Sequence, residues 1–98
     1  MTQPANIVVL AEGDNVGIAV RDIEESEMAK SIGGQSVTAV GAVPLGHKIA
    51  LRPIASGEQI VRFGMPVGIA TADIETGALV HVHNVRSQYL DNVEDHYE

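Results

Sequence analysis

The segments GDNVGIAVRDI (residues 13–23) and GMPVGIATADI (residues 64–74) share seven of eleven residues at a separation of 51. A third, looser copy, GHKIALRPI (residues 46–54), keeps the opening glycine and the Ile-Ala-Leu core but is two residues shorter before its isoleucine. Two copies continue as I-x-x-G, at Ile54 to Gly57 and Ile74 to Gly77, whereas Ser26 stands where the first copy would have its glycine. Each copy predicts a short apolar strand, then a polar turn entered by a buried isoleucine and closed by a residue with positive φ.

Working outward, glycines at 13, 17, 46, 57, 64, 68 and 77 punctuate the chain, and no window of eleven or more residues keeps a helical period. The spacing predicts strands near residues 6–10, 16–20, 36–40, 47–51, 59–62, 67–70 and 79–83. A helix candidate spans Glu24 to Ser31, and a further turn is expected near the acidic end. The expected fold class is all-β: a small, twisted, clip-like or barrel-like domain with pseudo-repeated turns, whose strand edges are protected by closure. After Asn84 the chain becomes polar and acidic, so the domain is assigned to residues 1–86 and a tail or linker to 87–98.

Ninety-eight residues suffice for one domain with a single core. Aromatic residues are limited to Phe63, Tyr89 and Tyr97, which leaves Val, Ile, Leu and Ala to fill that core. The absence of cysteine excludes disulfides, thiolate metal sites and a cysteine nucleophile. The first ten residues have neither a basic region nor an apolar stretch long enough for a signal or a membrane span, so a soluble, cytoplasmic protein is expected. A native Met1 and the acidic end at Glu98 favour a complete short protein. Six Lys and Arg face thirteen carboxylates, for a net charge of -7, which argues against nucleic-acid binding. An anionic small molecule could bind only where cations converge, and Lys48, Arg52 and Arg62 lie in one central segment.

Two stretches carry candidate chemistry. In VHVHN (residues 80–84) the strand period of two places His81 and His83 on one face, where imidazoles can act as acid, base, metal ligand or hydrogen-bond donor. A solvated strand face is the alternative, because a metal site needs at least three protein ligands and no others stand nearby. In Gly46-His47-Lys48 a turn delivers His47 and Lys48, and alternation places Lys48 and Arg52 on one side as a contact for a substrate carboxylate. There the alternative is an edge strand with charged gatekeepers. No phosphate-binding glycine loop, H-E-x-x-H or G-x-S-x-G motif is present, so nucleotide, zinc-protease and serine-hydrolase chemistry lack support.

GHKIAL, RFGMPVGIATADI and VHVHN, in that order and spacing, together with Asp14-Asn15-Val16-Gly17-Ile18-Ala19 near the start and Asn84-Val85-Arg86 near the end, resemble the small N-terminal domain of altronate dehydratases. Galactarate dehydratase and the small subunit of sulfolactate sulfo-lyase are related. The H-x-H-N ending points to the altronate or sulfolactate branch, and Met65-Pro66 to the altronate one. Phe63 and Ile69 depart from the tyrosines usual in the family. The resemblance implies a β-clip domain of the SAF, or antifreeze-like, kind, working beside a large catalytic subunit or domain. That partner would hold most of a divalent-metal site for iron or manganese and act on a small-molecule sugar acid. It further implies catalytic roles for His81, His83 and His47, and substrate contacts for Lys48, Arg52 and Asn84. Two alternatives stand beside this hydro-lyase component: a sulfo-lyase subunit, and a noncatalytic binding or assembly module. Homo-oligomerisation stays open.

Overall fold

A computed structural model describes residues 4–81 and 83–86. Nine short strands make up the described chain: β1 (Ile7–Val8), β2 (Val16–Ala19), β3 (Met28–Lys30), β4 (Ser36–Thr38), β5 (Lys48–Ala50), β6 (Gln59–Arg62), β7 (Met65–Ala70), β8 (Leu79–Val80) and β9 (Val85–Arg86). They form an antiparallel sheet of order β1-β2-β5-β8, the hairpin β3-β4 and a sheet of order β6-β7-β9. The all-β expectation holds. All seven expected strand regions contain strands, except that Val82 of the last falls outside the described residues. The tail after residue 86, with His96, also lies outside them.

Two small apolar clusters flank the central sheet. The first gathers Ala19, Ile23, Ala29, Ala39, Val43 and Ile49 with Ile7. The second gathers Ala50, Ile54, Ile60, Ala70, Ile74 and Val80 with Val16. Apart from Ile7 and Val16, each member of the first lies 31 positions before its counterpart in the second. The domain is therefore an internal duplication, and the looser copy at residues 46–54 is the structural counterpart of residues 15–23.

Each half is fastened by a pair of turns bridged back to back. Ile23 bridges Val43 in the first half, and Ile54 bridges Ile74 in the second. Four residues with positive φ close these turns: Ser26, Gly46, Gly57 and Gly77. The sequence suggested three such turns; the fourth, Val43 to Gly46, escapes the I-x-x-G pattern because valine replaces isoleucine. The same geometry removes the helix expected at Glu24 to Ser31. Ser26, at φ 74°, lies far from helical values and donates its N–H to Ala39 O at 2.8 Å. The chain then continues into β3 instead.

Two buried asparagines tie the halves to the central sheet. Asn6 accepts from Lys30 N (2.7 Å) and donates through Nδ2 to Met28 O (2.9 Å). Asn15 likewise accepts from Val61 N and donates to Gln59 O, both at 2.8 Å. Each carboxamide so stands in for a missing strand neighbour, meeting the backbone groups that burial would otherwise leave unpaired. No described helix is long and apolar enough to cross a membrane.

Candidate functional site

The central sheet brings the two candidate motifs together at one end. Gly46, at φ 85°, turns the chain into β5, and β5 pairs antiparallel with β8 through Lys48 opposite Val80 and Ile49 opposite Leu79. One step further along this register, His47 meets His81. Their ring centroids are 4.7 Å apart, at an interplanar angle of 38°. His83 follows at 6.4 Å from His81. His47 and His81 are half-buried while His83 is exposed, so the row runs from the sheet towards solvent.

Asn84 fixes this row. Its Oδ1 accepts from His81 N at 2.9 Å, its Nδ2 donates to Leu79 O at 3.0 Å, and its own N–H donates to His81 O at 2.9 Å. Asn84 O also accepts from Thr71 N (2.8 Å) where β7 meets β9. With its carboxamide committed to the backbone on both sides, Asn84 is built to hold the turn that presents the histidines.

Strand alternation separates Lys48 from this row. Lys48 lies on the face shared by Val80 and Ala50 of the second cluster, whereas Ile49 and Leu79 pack against the first. His47 and His81, each two residues from one of that second pair, extend its face. Lys48 is half-buried, and its ammonium is held below the usual lysine range, first by loss of solvent and then by the positive charge of Arg62.

Arg52 does not join Lys48. β5 ends at Ala50, and Arg52 turns instead to Glu58, with Nη1 2.9 Å from the carboxylate. The pair Arg21 and Glu27, at 3.7 Å, repeats this contact 31 positions earlier. A contact present in both halves belongs to the turn. Conversely, the counterparts of His47 are Val16 and Ala78, and that of His81 is Ala50, so the histidines stand where the duplication otherwise keeps apolar residues. This signal is open to sequence reading once the 31-residue offset is known.

Asp14 shapes the tip beyond the opposite end of β2, since His47 lies beside Ala19 and Ala50 beside Val16. Burial alone would raise its carboxyl, but N–H groups of Gly64, Phe63, Ala11 and Leu10 all donate to it and hold it below the usual carboxylate range. The loop it gathers exposes Phe63 (64%), Met65 (57%) and Leu10 (44%) as an apolar end. Among the described residues no group of three His, Cys, Asp or Glu side chains is arranged to hold a metal ion. The histidine row alone therefore does not fit a complete iron or manganese site. A cleft of about 490 Å³ at the second turn pair is walled by Glu58, Asp73 and Glu75 and by none of the histidines.

Residues 5–88 match the family described as the altronate/galactarate dehydratase SAF domain. The chain belongs to that family. This SAF domain is 40% identical over 85 residues to altronate dehydratase of Escherichia coli K12, a match that covers 87% of the chain and 17% of that protein. It is 36% identical over 86 residues to altronate dehydratase of Bacillus subtilis 168, covering 88% and 17%. It is also 38% identical over 47 residues to the (2R)-sulfolactate sulfo-lyase subunit alpha of Chromohalobacter salexigens, covering 48% of the chain and 50% of that subunit. The chain thus spans about a sixth of the length of the altronate dehydratases it matches.

Proposed function

We propose that this SAF domain, residues 1–86 with 87–98 as a connecting tail, is the small component of a cytoplasmic sugar-acid hydro-lyase of the altronate dehydratase kind. It would complete an active site whose remainder belongs to a large catalytic subunit or domain. The observation that carries this reading is the contact of His47 with His81 at 4.7 Å, extended by His83 towards solvent. Dehydration of a hydroxy acid needs a base to take the proton α to the carboxylate, stabilisation of the resulting enediolate, and an acid that gives a proton to the departing β-hydroxyl, which leaves as water. Imidazoles titrate in the range where one can take a proton and its neighbour give one.

His81 and His83 are assigned the acid and base roles at the junction. His47 packs beside His81 and orients it, while Asn84 holds the turn. A divalent metal held mainly by the large partner would supply charge stabilisation to the enediolate. The apolar end of Leu10, Phe63 and Met65 supplies contact surface for that partner, because exposed apolar residues clustered at one place favour burial. The chain alone is expected to be inactive.

A second reading, subunit of a sulfolactate sulfo-lyase, is favoured by the likeness to proteins described as alpha subunits, which carry such a domain as a short separate chain. Elimination of sulfite would use the same α-proton removal. Parallel assays of the reconstituted enzyme on altronate and on sulfolactate decide between the two. Turnover that is indifferent to replacement of His81 and His83 by alanine would leave only an assembly role.

A further inference from the structure

Position by position, one of the four turns of the duplication departs from the other three. The residue before the positive-φ position is Glu25, Ser56 or Thr76 in three turns and Leu45 in the fourth. The residue after it is Glu27, Glu58 or Ala78 in those three and His47 in the fourth. Glu27 and Glu58 accept N–H groups of their own turns, from Glu24 at 3.0 Å and Ala55 at 2.9 Å. Pro44 stands at that donor position and has no N–H, so no glutamate is needed and a histidine can take its place. The Pro44–His47 turn also carries no carboxylate, whereas each of the others carries at least one. Leu45 is 60% exposed, and His47 Nδ1 lies 3.3 Å from its carbonyl oxygen. Val20 follows the Ala19 that bonds to Gly46 and His47, and it is 47% exposed. Apolar surface without charge therefore borders the histidine row itself, as in the core of a protein interface.

We propose that Leu45, stiffened by Pro44 and flanked by Val20, is the apolar anchor that seats the large catalytic chain over the histidine row. The identity of that occupant rests on the lyase reading; the surface rests on the comparison of the four turns. Three observations favour the large chain over a second copy. The match covers 17% of each altronate dehydratase, so most of those proteins lies outside this domain and is at hand to cover it. The histidine row has no third metal ligand among the described residues, and a second copy would bring only the same row. Two copies of a chain with net charge -7 also repel each other. The fixed φ of Pro44 holds the turn before binding, so less freedom is lost when Leu45 is buried. The tip of Leu10, Phe63 and Met65 lies beyond the other end of β2 and cannot seat a partner over the histidines.

The test is sedimentation velocity, on serial dilution, of the complex formed when a large dehydratase chain is co-expressed with this one or its variants. Leu45→Ser should weaken the complex by about tenfold or more, as loss of a central apolar anchor does. Leu45→Met should retain it, and Ile32→Ser, the same kind of change at an exposed hairpin tip away from the row, should leave it unchanged. Folding is not the cause of the loss, because Ser56 already fills the equivalent position. Its N–H donates to Asp73 as that of Leu45 does to Asp22, both at 2.9 Å, so Leu45→Ser should not lower the unfolding temperature of the isolated chain. An undiminished Leu45→Ser complex, equal weakening by Ile32→Ser, or self-association of the isolated chain that Leu45→Ser abolishes overturns the proposal. A complex weakened by Leu45→Ser but with no lyase activity rejects the lyase reading and leaves the anchor standing. Lyase activity that needs His81 and His83, in a complex indifferent to Leu45→Ser, does the reverse.

Discussion

Ser26 and Gly57, 31 positions apart in the two halves, occupy the same turn position with φ of 74° and 89°. Each donates its N–H at 2.8 Å to an alanine carbonyl, Ala39 or Ala70. A serine there bears the cost of a left-handed backbone that glycine avoids, on the order of 1–2 kcal/mol. Glycine in turn loses more chain entropy on folding, which returns about 0.4–1 kcal/mol of that difference. Ser26→Gly should therefore stabilise the domain slightly, by up to about 1 kcal/mol, and Gly57→Ser should destabilise it by a similar amount. Urea denaturation of the two variants checks both signs.

Gly77 carries a harsher constraint. A Cβ there would lie 2.0 Å from Thr38 O, whereas at Gly57 nothing approaches within 4 Å. Gly77→Ala should cost more than about 3 kcal/mol or prevent folding, because backbone must move, while Gly57→Ala should cost about 1–2 kcal/mol from φ alone. The contrast between the two alanine variants, read by thermal unfolding, tests the close approach of the second turn pair to β4.

Asn15 replaces a strand neighbour for β6, so Asn15→Ala strips partners from Val61 N and Gln59 O inside the structure. The expected loss is about 2–4 kcal/mol, from two buried backbone groups left unpaired. Asn6→Ala should behave alike in the first half. Similar losses in the two variants would confirm that both halves use one device.

Asp14 makes stability depend on pH. Its carboxyl is buried, yet four backbone N–H groups hold it below its ordinary value. A carboxyl whose folded value is depressed contributes stability above its unfolded value, about 4, and loses it as pH falls through the lower folded one. Asp14→Asn should therefore be less stable than the parent at pH 7, and the gap should narrow below about pH 4. A gap that is constant with pH would place the effect in packing instead.

Much of this architecture could be read from the chain. Glycine spacing and short apolar runs located the strands, and the two H-x-H-N and G-H-K motifs did meet, through the pairing of β5 with β8. What misled was local composition. Glu24 to Ser31 has residues that favour a helix, but Ile23 is committed to Val43 and Ser26 turns the chain, so tertiary pairing overrides propensity. The echo at 51 residues relates turns of similar sequence, whereas the packing follows 31, because equivalent core positions tolerate Ala29 for Ile60 and Val43 for Ile74. Arg52 looked like a partner of Lys48 only while β5 was taken to continue past Ala50.

The central claim is that the histidine row works in a shared active site. The most direct measurement is dehydration of altronate, with iron or manganese present, by a large dehydratase chain co-expressed with this one or with its His81→Ala, His83→Ala double variant. Activity should require both chains and fall about a hundredfold or more in the double variant, the range expected for loss of acid and base groups. Full activity from the large chain alone, or an undiminished rate with the double variant, would contradict the account.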